Sequence, residues 1–169
     1  LSSGTYIWAF WGKADATNND IYTTNGATWT SEFRAVYHMT ETNAPDSTVN
    51  TNHFTAVGNT NAPGLIAGAQ GVNGSTYLKR AESGAVFDSL TSFTLEGLVK
   101  PLGNGSTYAG LISAARDGES DYTQGNFVMQ LRNGEQKLGF EAQDTLGGAV
   151  NGDFMGNTTL YNGQWHHVA

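Results

Sequence analysis

Asparagine–glycine pairs recur along the whole chain and place the strongest constraint on its fold. They occupy residues 25–26, 73–74, 104–105, 133–134, 151–152 and 162–163, and Asp117-Gly118 is a further pair of the same kind. These dipeptides accept the positive φ angles that tight hairpin turns require. So many potential reversals predict a chain of short strands joined by turns.

The segments between these pairs are short and rich in β-branched and aromatic residues. No stretch sustains the apolar spacing of an amphipathic helix over three turns, so we expect an all-β fold of antiparallel strands. Phe127, Met129 and Leu131 alternate onto one face, and Asn133-Gly134 predicts a hairpin into the next strand. The predicted strands cover residues 6–11, 34–39, 53–57, 77–79, 93–99, 109–115, 127–131, 137–142 and 165–169.

Composition argues against several classes of function. The 169 residues are 38% hydrophobic, which is enough for one packed core, and the net charge is -7 with only eight Lys and Arg. This balance argues against nucleic acid as a partner and against attraction to an anionic membrane surface. The chain has no Cys, so it forms neither disulfides nor thiolate metal sites. It also has no apolar run of about 18 residues, so we expect no direct membrane insertion.

Several motifs, in order, resemble one family. They are Val36-Tyr37-His38-Met39-Thr40-Glu41, Asp46-Ser47 with Asn50, Asn52 and His53, Ser92-Phe93-Thr94-Leu95-Glu96, Val99-Lys100-Pro101, and Asn162-Gly163-Gln164-Trp165-His166-His167-Val168-Ala169. Over residues 33–169 the chain resembles a laminin G-like, concanavalin A-like jelly-roll lectin domain. The resemblance implies a sandwich of two antiparallel sheets whose C-terminal strands are missing from this sequence.

Residues 1–32 resemble the end of an uncharacterised domain that often precedes such jelly rolls in surface and secreted proteins. We therefore expect these residues to form the end of a preceding β segment or a linker, with the jelly roll at residues 33–169. The resemblance further implies an extracellular or cell-surface location. The missing strands would be supplied either by the rest of a longer polypeptide or by a neighbouring copy of the chain.

The segment 46–52 is the candidate metal site. Asp46, Asn50 and Asn52 supply closely spaced oxygen atoms, the ligand type that Ca²⁺ prefers. The resembling family often holds a structural calcium in this region. The alternative is an Asx-rich turn whose side chains bond to their own backbone. Both interpretations stay open at this stage.

The candidate ligand-binding residues are aromatic and polar side chains expected in loops. An aromatic ring can stack on the apolar face of a sugar while neighbouring polar groups bind its hydroxyls. The residues of this set are Tyr108, Arg116, Tyr122, Asn126 and Tyr161. The alternative for each tyrosine is that it covers the end of the core.

Catalytic signatures are missing from the sequence. It contains no Gly-x-Ser-x-Gly elbow and no tight run of acidic residues of the kind found in sandwich-fold glucanases, and Glu141 and Asp144 are expected on opposite strand faces. We therefore expect a non-catalytic module that recognises a glycan or another surface molecule. One alternative is a structural subunit of a surface fibre, adhesin or layer that is completed by strands from a neighbour. A glycan-cleaving enzyme is the second alternative.

Overall fold

The computed structural model describes residues 25–80, 84–87, 90–103, 107–114, 127–143 and 150–169. These residues form an all-β structure with a single helix of four residues, α1 (Gly84–Phe87). The predicted fold class is thus confirmed at the level of antiparallel β-structure. In the described residues no helix is long and apolar enough to cross a membrane.

The first part of the structure is built from two antiparallel strand pairs. Strand β1 pairs with β4, and β2 pairs with β3. The bounds are β1 (Thr55–Val57), β2 (Thr60–Pro63), β3 (Gly68–Gly71) and β4 (Tyr77–Lys79). The turn at residues 73–76 that leads into β4 is held by the backbone bond from Thr76 to Asn73, as its Asn-Gly pair predicts.

The second part contains a four-stranded antiparallel sheet in the order β6-β7-β8-β9 and a separate two-stranded ladder of β5 and β10. The bounds are β5 (Gly97–Val99), β6 (Tyr108–Ala114), β7 (Phe127–Arg132), β8 (Lys137–Gln143), β9 (Val150–Met155) and β10 (His166–Val168). A bulge between Gly110 and Ile112 shifts the register of β6 against β7.

The hydrophobic core lies between one face of the four-stranded sheet and the β5–β10 ladder. Its buried members are Met129 and Leu131 of β7, Val168 of β10, and Leu160. Leu95 lies just before β5, and Val99 is the last residue of that strand. Both pack against this cluster, together with side chains of β6 and β8. The two layers therefore share one apolar interior, an arrangement consistent with a β-sandwich.

Several predicted elements differ from the structure. Residues 34–39 were expected to form a strand, but they hold only an isolated bridge between Tyr37 and Asp46. The pair Asn151-Gly152 was expected to turn, but it lies inside β9. The hairpin after β7 is present, but its loop has four residues, 133–136. The positive φ of this loop, 55°, is at Gln136 rather than in the Asn-Gly pair. Strands β2, β3 and β9 were not predicted.

The expected boundary at residue 32 falls beside a packed segment. The ring of Trp29 contacts Phe33 and His38, with centroid distances of 5.1 and 6.1 Å. Gly26, at φ 80°, lies against the backbone of Thr48 and Val49. Residues 1–24 lie outside the described residues, including the predicted strand at 6–11, so the domain boundary stays a prediction.

Candidate functional site

The four-stranded sheet carries polar side chains on the face opposite the core. The register of its strands places Tyr108 opposite Arg132, and Glu141 opposite Asp153. Gln130 lies on β7 two residues before Arg132 and therefore points to the same face. We call these five residues, Tyr108, Gln130, Arg132, Glu141 and Asp153, the tyrosine–arginine face.

Arg132 is the centre of this face. Its side chain is buried, and its Nη2 donates hydrogen bonds to Glu141 Oε1, at 2.5 Å, and to Asp153 Oδ1. Nη1 adds a bond to Asp153 Oδ2 at 3.2 Å. Glu141 Oε1 also accepts a bond from Gln130 Nε2 at 2.7 Å. Two carboxylates on one guanidinium offset the cost of burying its charge.

The two carboxylates differ in exposure. The side chain of Glu141 is 14% exposed, whereas that of Asp153 is 54% exposed. Hydrogen bonding to Asp153 raises the pKa of Arg132, although burial opposes this effect. The largely buried carboxylate of Glu141 therefore holds Arg132 from the protein side, whereas Asp153 lies toward solvent.

The Tyr108 ring lies beside this ion-pair network. The guanidinium carbon of Arg132 is 5.9 Å from the ring centroid, within the range of a cation–π contact. Tyr108 is 56% exposed, so its ring is open to a ligand. An exposed aromatic ring next to fixed hydrogen-bonding groups is an arrangement that suits a sugar ring, because the apolar sugar face stacks and the hydroxyls bind the polar groups.

Gly139 makes room for Arg132. A Cβ atom added at Gly139 would lie 2.6 Å from Arg132 Nε and 3.3 Å from its Cδ and Cζ atoms. Arg132 Nε is buried and has no hydrogen-bond partner among the described residues. The Arg132 side chain therefore lies directly on the β8 backbone at a position where only glycine fits without displacement.

The predicted metal ligands Asp46, Asn50 and Asn52 form a loop organised by its own hydrogen bonds. Asp46 Oδ1 accepts bonds from the backbone N–H groups of Val36 and Thr48, both at 2.9 Å. Asp46 Oδ2 accepts from the Thr48 hydroxyl and from the Asn52 N–H, both at 2.8 Å. Asp46 is buried, and these donors match the roughly four acceptor positions of a carboxylate.

The electrostatics of Asp46 follow from these contacts. Burial acts to raise the pKa of its carboxyl group, but the hydrogen bonds from Val36, Thr48 and Asn52 outweigh burial and hold the pKa below its ordinary value. The neighbouring Tyr37 hydroxyl donates to the Asn52 carbonyl at 2.6 Å. Burial, together with the charge of Asp46, raises the pKa of Tyr37 to about 12.

This loop has the geometry of the Asx-rich turn that was the alternative to a metal site. A calcium ion takes about six to eight oxygen ligands, and it would have to displace at least one donor from Asp46 to use that carboxylate. In the described part of the chain no three His, Cys, Asp or Glu side chains gather into a metal-binding group. Calcium at Asp46, Asn50 and Asn52 stays a prediction.

A small polar pocket lies beside the same loop. It is lined by Arg34, Asn50, Asn52, Arg80 and Val86, and its volume is about 230 Å³. Asn52 Nδ2 donates to the Arg34 carbonyl at 2.7 Å, and Asn50 Nδ2 donates to the carbonyls of Phe33 and Arg34 at 3.0 and 3.2 Å. We call these five lining residues the arginine pocket.

The structure separates the predicted ligand-binding residues. Tyr108 begins β6 and belongs to the tyrosine–arginine face, although the sequence placed it in a loop. Tyr161 is half-buried and packs against the hydrophobic core, and burial raises the pKa of its hydroxyl. The remaining predicted residues, Arg116, Tyr122 and Asn126, lie outside the described residues, and so does Asp144.

Four members of the tyrosine–arginine face were not identified from the sequence as binding residues. Gln130 and Arg132 belong to a strand whose apolar alternation was recognised, and the same alternation places them together on the opposite face. That local signal could have found them. Glu141 and Asp153 are twelve positions apart, and they meet only through the β8–β9 register.

Comparison with known proteins yields no match for this chain, whether against protein-family models, curated proteins or solved structures.

Proposed function

We propose that this chain is a non-catalytic extracellular recognition module that binds a glycan through the tyrosine–arginine face. The observation that carries the proposal is the exposed Tyr108 ring beside a buried arginine that is held in place by Glu141. A rigid polar network costs a ligand little ordering free energy, because its side chains are already fixed before binding.

The proposal includes a laminin G-like, concanavalin A-like jelly roll as the finer fold. Val99 of one resembling segment pairs with His166 of another, in the antiparallel ladder that joins Gly97–Val99 to His166–Val168. The ladder contributes Val99 and Val168 to the core beneath the four-stranded sheet. This pairing supports a sandwich, and an experimental structure would test whether its strand order is that of a jelly roll.

The binding proposal is tested by titrating the purified chain with a panel of neutral oligosaccharides, using calorimetry. We expect Tyr108→Ala to weaken binding about tenfold, because an aromatic contact contributes about 1.5 kcal/mol beyond area burial. Tyr108→Phe should retain the affinity if the ring face makes the contact. The matched control is Tyr77→Ala, since Tyr77 is 50% exposed on the separate β1–β4 pair.

Two outcomes would count against this proposal. If the wild-type chain binds no member of the panel, the face has no glycan function under those conditions and the recognition proposal fails. If Tyr77→Ala weakens binding as much as Tyr108→Ala does, the contact is not located at the tyrosine–arginine face. Unchanged thermal unfolding of both variants would show that neither result reflects misfolding.

A structural subunit that assembles with its own copies is the second candidate. In the described sheet β9 is an outer strand, and the side chain of Phe154 on it is 65% exposed. An outer strand with an exposed aromatic residue can pair with another chain. Light scattering over a concentration series would show oligomers that Phe154→Ser dissolves if assembly is the function, and a monomer at all concentrations if it is not.

The paired carboxylates also bear on the glycan-cleaving alternative. Such an enzyme requires one carboxylic acid that protonates the leaving group and a second carboxylate. Glu141 and Asp153 both bond to Arg132, so both carboxylates serve one structural ion-pair network. We therefore propose binding without cleavage, and an oligosaccharide that stays intact after long incubation with the chain would agree.

A further inference from the structure

Two exposed asparagine–glycine turns of this chain are held by the same kind of bond. Asn73 Oδ1 accepts a hydrogen bond from the backbone N–H of Ser75 at 2.8 Å. Asn162 Oδ1 accepts one from the backbone N–H of Gln164 at 3.0 Å. Both asparagines are exposed, and a Cβ atom added at the glycine of either turn would meet no atom within 4 Å. The two turns therefore share an Asx-turn bond and an open glycine.

His166 distinguishes the second turn from the first. Its Nε2 atom lies 2.8 Å from Asn162 Oδ1. Because Oδ1 accepts from the N–H of Gln164, it is the oxygen of the amide, and an amide oxygen only accepts. The histidine nitrogen must therefore donate, which the imidazolium and the neutral ring protonated at Nε2 can both do. Among the described residues, Asn162 Oδ1 thus has two donors, whereas Asn73 Oδ1 has one.

Two donors on the amide oxygen activate the carbon atom to which it is bonded, Asn162 Cγ. The backbone nitrogen of Gly163 is the neighbouring nucleophile, and glycine has no side chain to hinder its approach. Attack forms an N–Cγ bond and closes a succinimide ring, while negative charge develops on Oδ1. Donors that already point at this oxygen stabilise that charge. The attacking nitrogen loses its proton to water, the Cγ–Nδ2 bond breaks, and Nδ2 leaves as ammonia.

We propose that Asn162 is a self-modification site, at which His166 promotes conversion of the asparagine to aspartate and isoaspartate. Water completes the reaction by opening the succinimide ring, so the net change is the replacement of ammonia by water. Opening at Cγ gives aspartate. Opening at the backbone carbonyl gives isoaspartate, in which the main chain runs through the former side chain. The site shares no residue with the tyrosine–arginine face and does not depend on glycan binding.

The position of Asn162 gives this modification a structural consequence. The turn lies directly before β10, which pairs with β5 and contributes Val168 to the hydrophobic core. Isoaspartate lengthens the main chain at this point, and either product adds a negative charge beside His166. The modification therefore acts on the turn that sets where β10 enters its ladder.

The test follows both asparagines in one sample of the folded chain at neutral pH, by peptide mass spectrometry with chromatographic separation of isoaspartate. Each rate is divided by the rate of the same residue in urea, which removes the effect of the different residues that follow, Gln164 and Ser75. We expect the normalised rate at Asn162 to be about tenfold higher than at Asn73. This is less than the roughly hundredfold effect of one buried oxyanion donor in an enzyme, because water weakens an exposed interaction.

Two histidine variants locate the cause. His166→Phe removes the donor but keeps an aromatic ring in β10, and it should lower the normalised rate at Asn162 to that of Asn73. His167→Phe is the matched control, because adjacent strand residues point to opposite faces and His167 contacts Glu96 instead. This control should leave the rate at Asn162 unchanged.

Three results would overturn the proposal: equal normalised rates at the two asparagines, equal slowing of Asn162 by both histidine variants, or faster loss of ammonia in His166→Phe. The last result would show that the bond from His166 protects the amide. The rate at Asn73 is measured in every variant, because loss of the fold would move it toward its value in urea. If His166→Phe does not fold by this criterion, the wild-type comparison of Asn162 with Asn73 decides.

Discussion

Glu141 accepts a hydrogen bond from Arg132 Nη2 at 2.5 Å, and both side chains are almost fully covered by the protein. Asp153 bonds to the same Nη2 atom from a half-exposed position. One guanidinium thus joins a buried and an exposed carboxylate. Comparing these two carboxylates shows how burial changes the free energy that an ion pair contributes to stability.

We expect Glu141→Gln to cost about 1.5 to 3 kcal/mol of unfolding free energy, because a buried hydrogen bond to a charged group contributes about that much. Asp153→Asn should cost less than about 1 kcal/mol, since solvent screens an exposed pair. Urea unfolding of both variants measures the two losses. Equal losses would contradict the inner role assigned to Glu141.

Gly139→Ala tests the close approach of Arg132 to the β8 backbone. The added Cβ would lie 2.6 Å from Arg132 Nε, so the arginine must move away from partners that hold it. We expect a loss of about 1 to 3 kcal/mol, the usual cost of overpacking. Glycan affinity should fall as well, because Arg132 would leave its position beside Tyr108.

Gly134→Ala is the matched control for that variant. It lies in the turn between β7 and β8, where an added Cβ meets no atom within 4 Å. We expect its unfolding free energy to stay within about 0.5 kcal/mol of the wild type. If the two alanine variants lose the same stability, the contact with Arg132 does not explain the need for glycine at residue 139.

The β7–β8 hairpin shows which parts of the fold the sequence predicts. Phe127, Met129 and Leu131 alternate within a few residues, and the turn follows at once, so every signal is local. Strand β9 is different because Asn151 and Gly152 have the composition of a turn but lie within the strand, where Gly152 pairs with Ala142 of β8 and Asn151 lies at a shift in register. There the ladder with a neighbouring strand outweighs the local preference, and no window of the sequence contains that ladder.

The strand predicted at residues 34–39 was wrong for a related reason. Val36 and Tyr37 are typical strand residues, yet their neighbourhood is organised by bonds to the side chains of Asp46 and Asn52 rather than by a strand ladder. Side-chain bonds of this kind depend on geometry that residue propensity does not encode. Tyr108 was identified from its aromatic character, but its partner Arg132 required the register of β6 against β7.

The acid stability of the chain should depend on Asp46. Its folded pKa lies below the ordinary 3.8, so its contribution to stability is present above the unfolded value and is lost as the pH falls through the folded pKa. We expect Asp46→Asn to be less stable than the wild type at neutral pH, and the difference to shrink under acid conditions below about pH 3.8.

Thr48→Val provides the control for the cause of this shift. It removes the hydroxyl that donates to Asp46 Oδ2 at 2.8 Å but leaves the backbone donors in place. The pKa of Asp46, followed by NMR of its carboxyl carbon, should rise toward the ordinary value in this variant. A wild-type pKa at or above 3.8 would contradict the hydrogen-bond network described for the loop.

Tyr37 should be the residue through which the same loop responds to alkali. Burial and the charge of Asp46 raise its pKa to about 12, against the opposing charge of Arg80. Because the neutral phenol is the favoured form in the folded state, the stability it contributes is complete below the ordinary value of 10 and is lost as the pH rises through about 12. Ultraviolet titration of tyrosinate should therefore show a step near pH 12 that Tyr37→Phe removes. Asp46→Asn should move that step to lower pH, because it removes a negative charge that disfavours the phenolate, and a step that stays in place would contradict the coupling between the two residues.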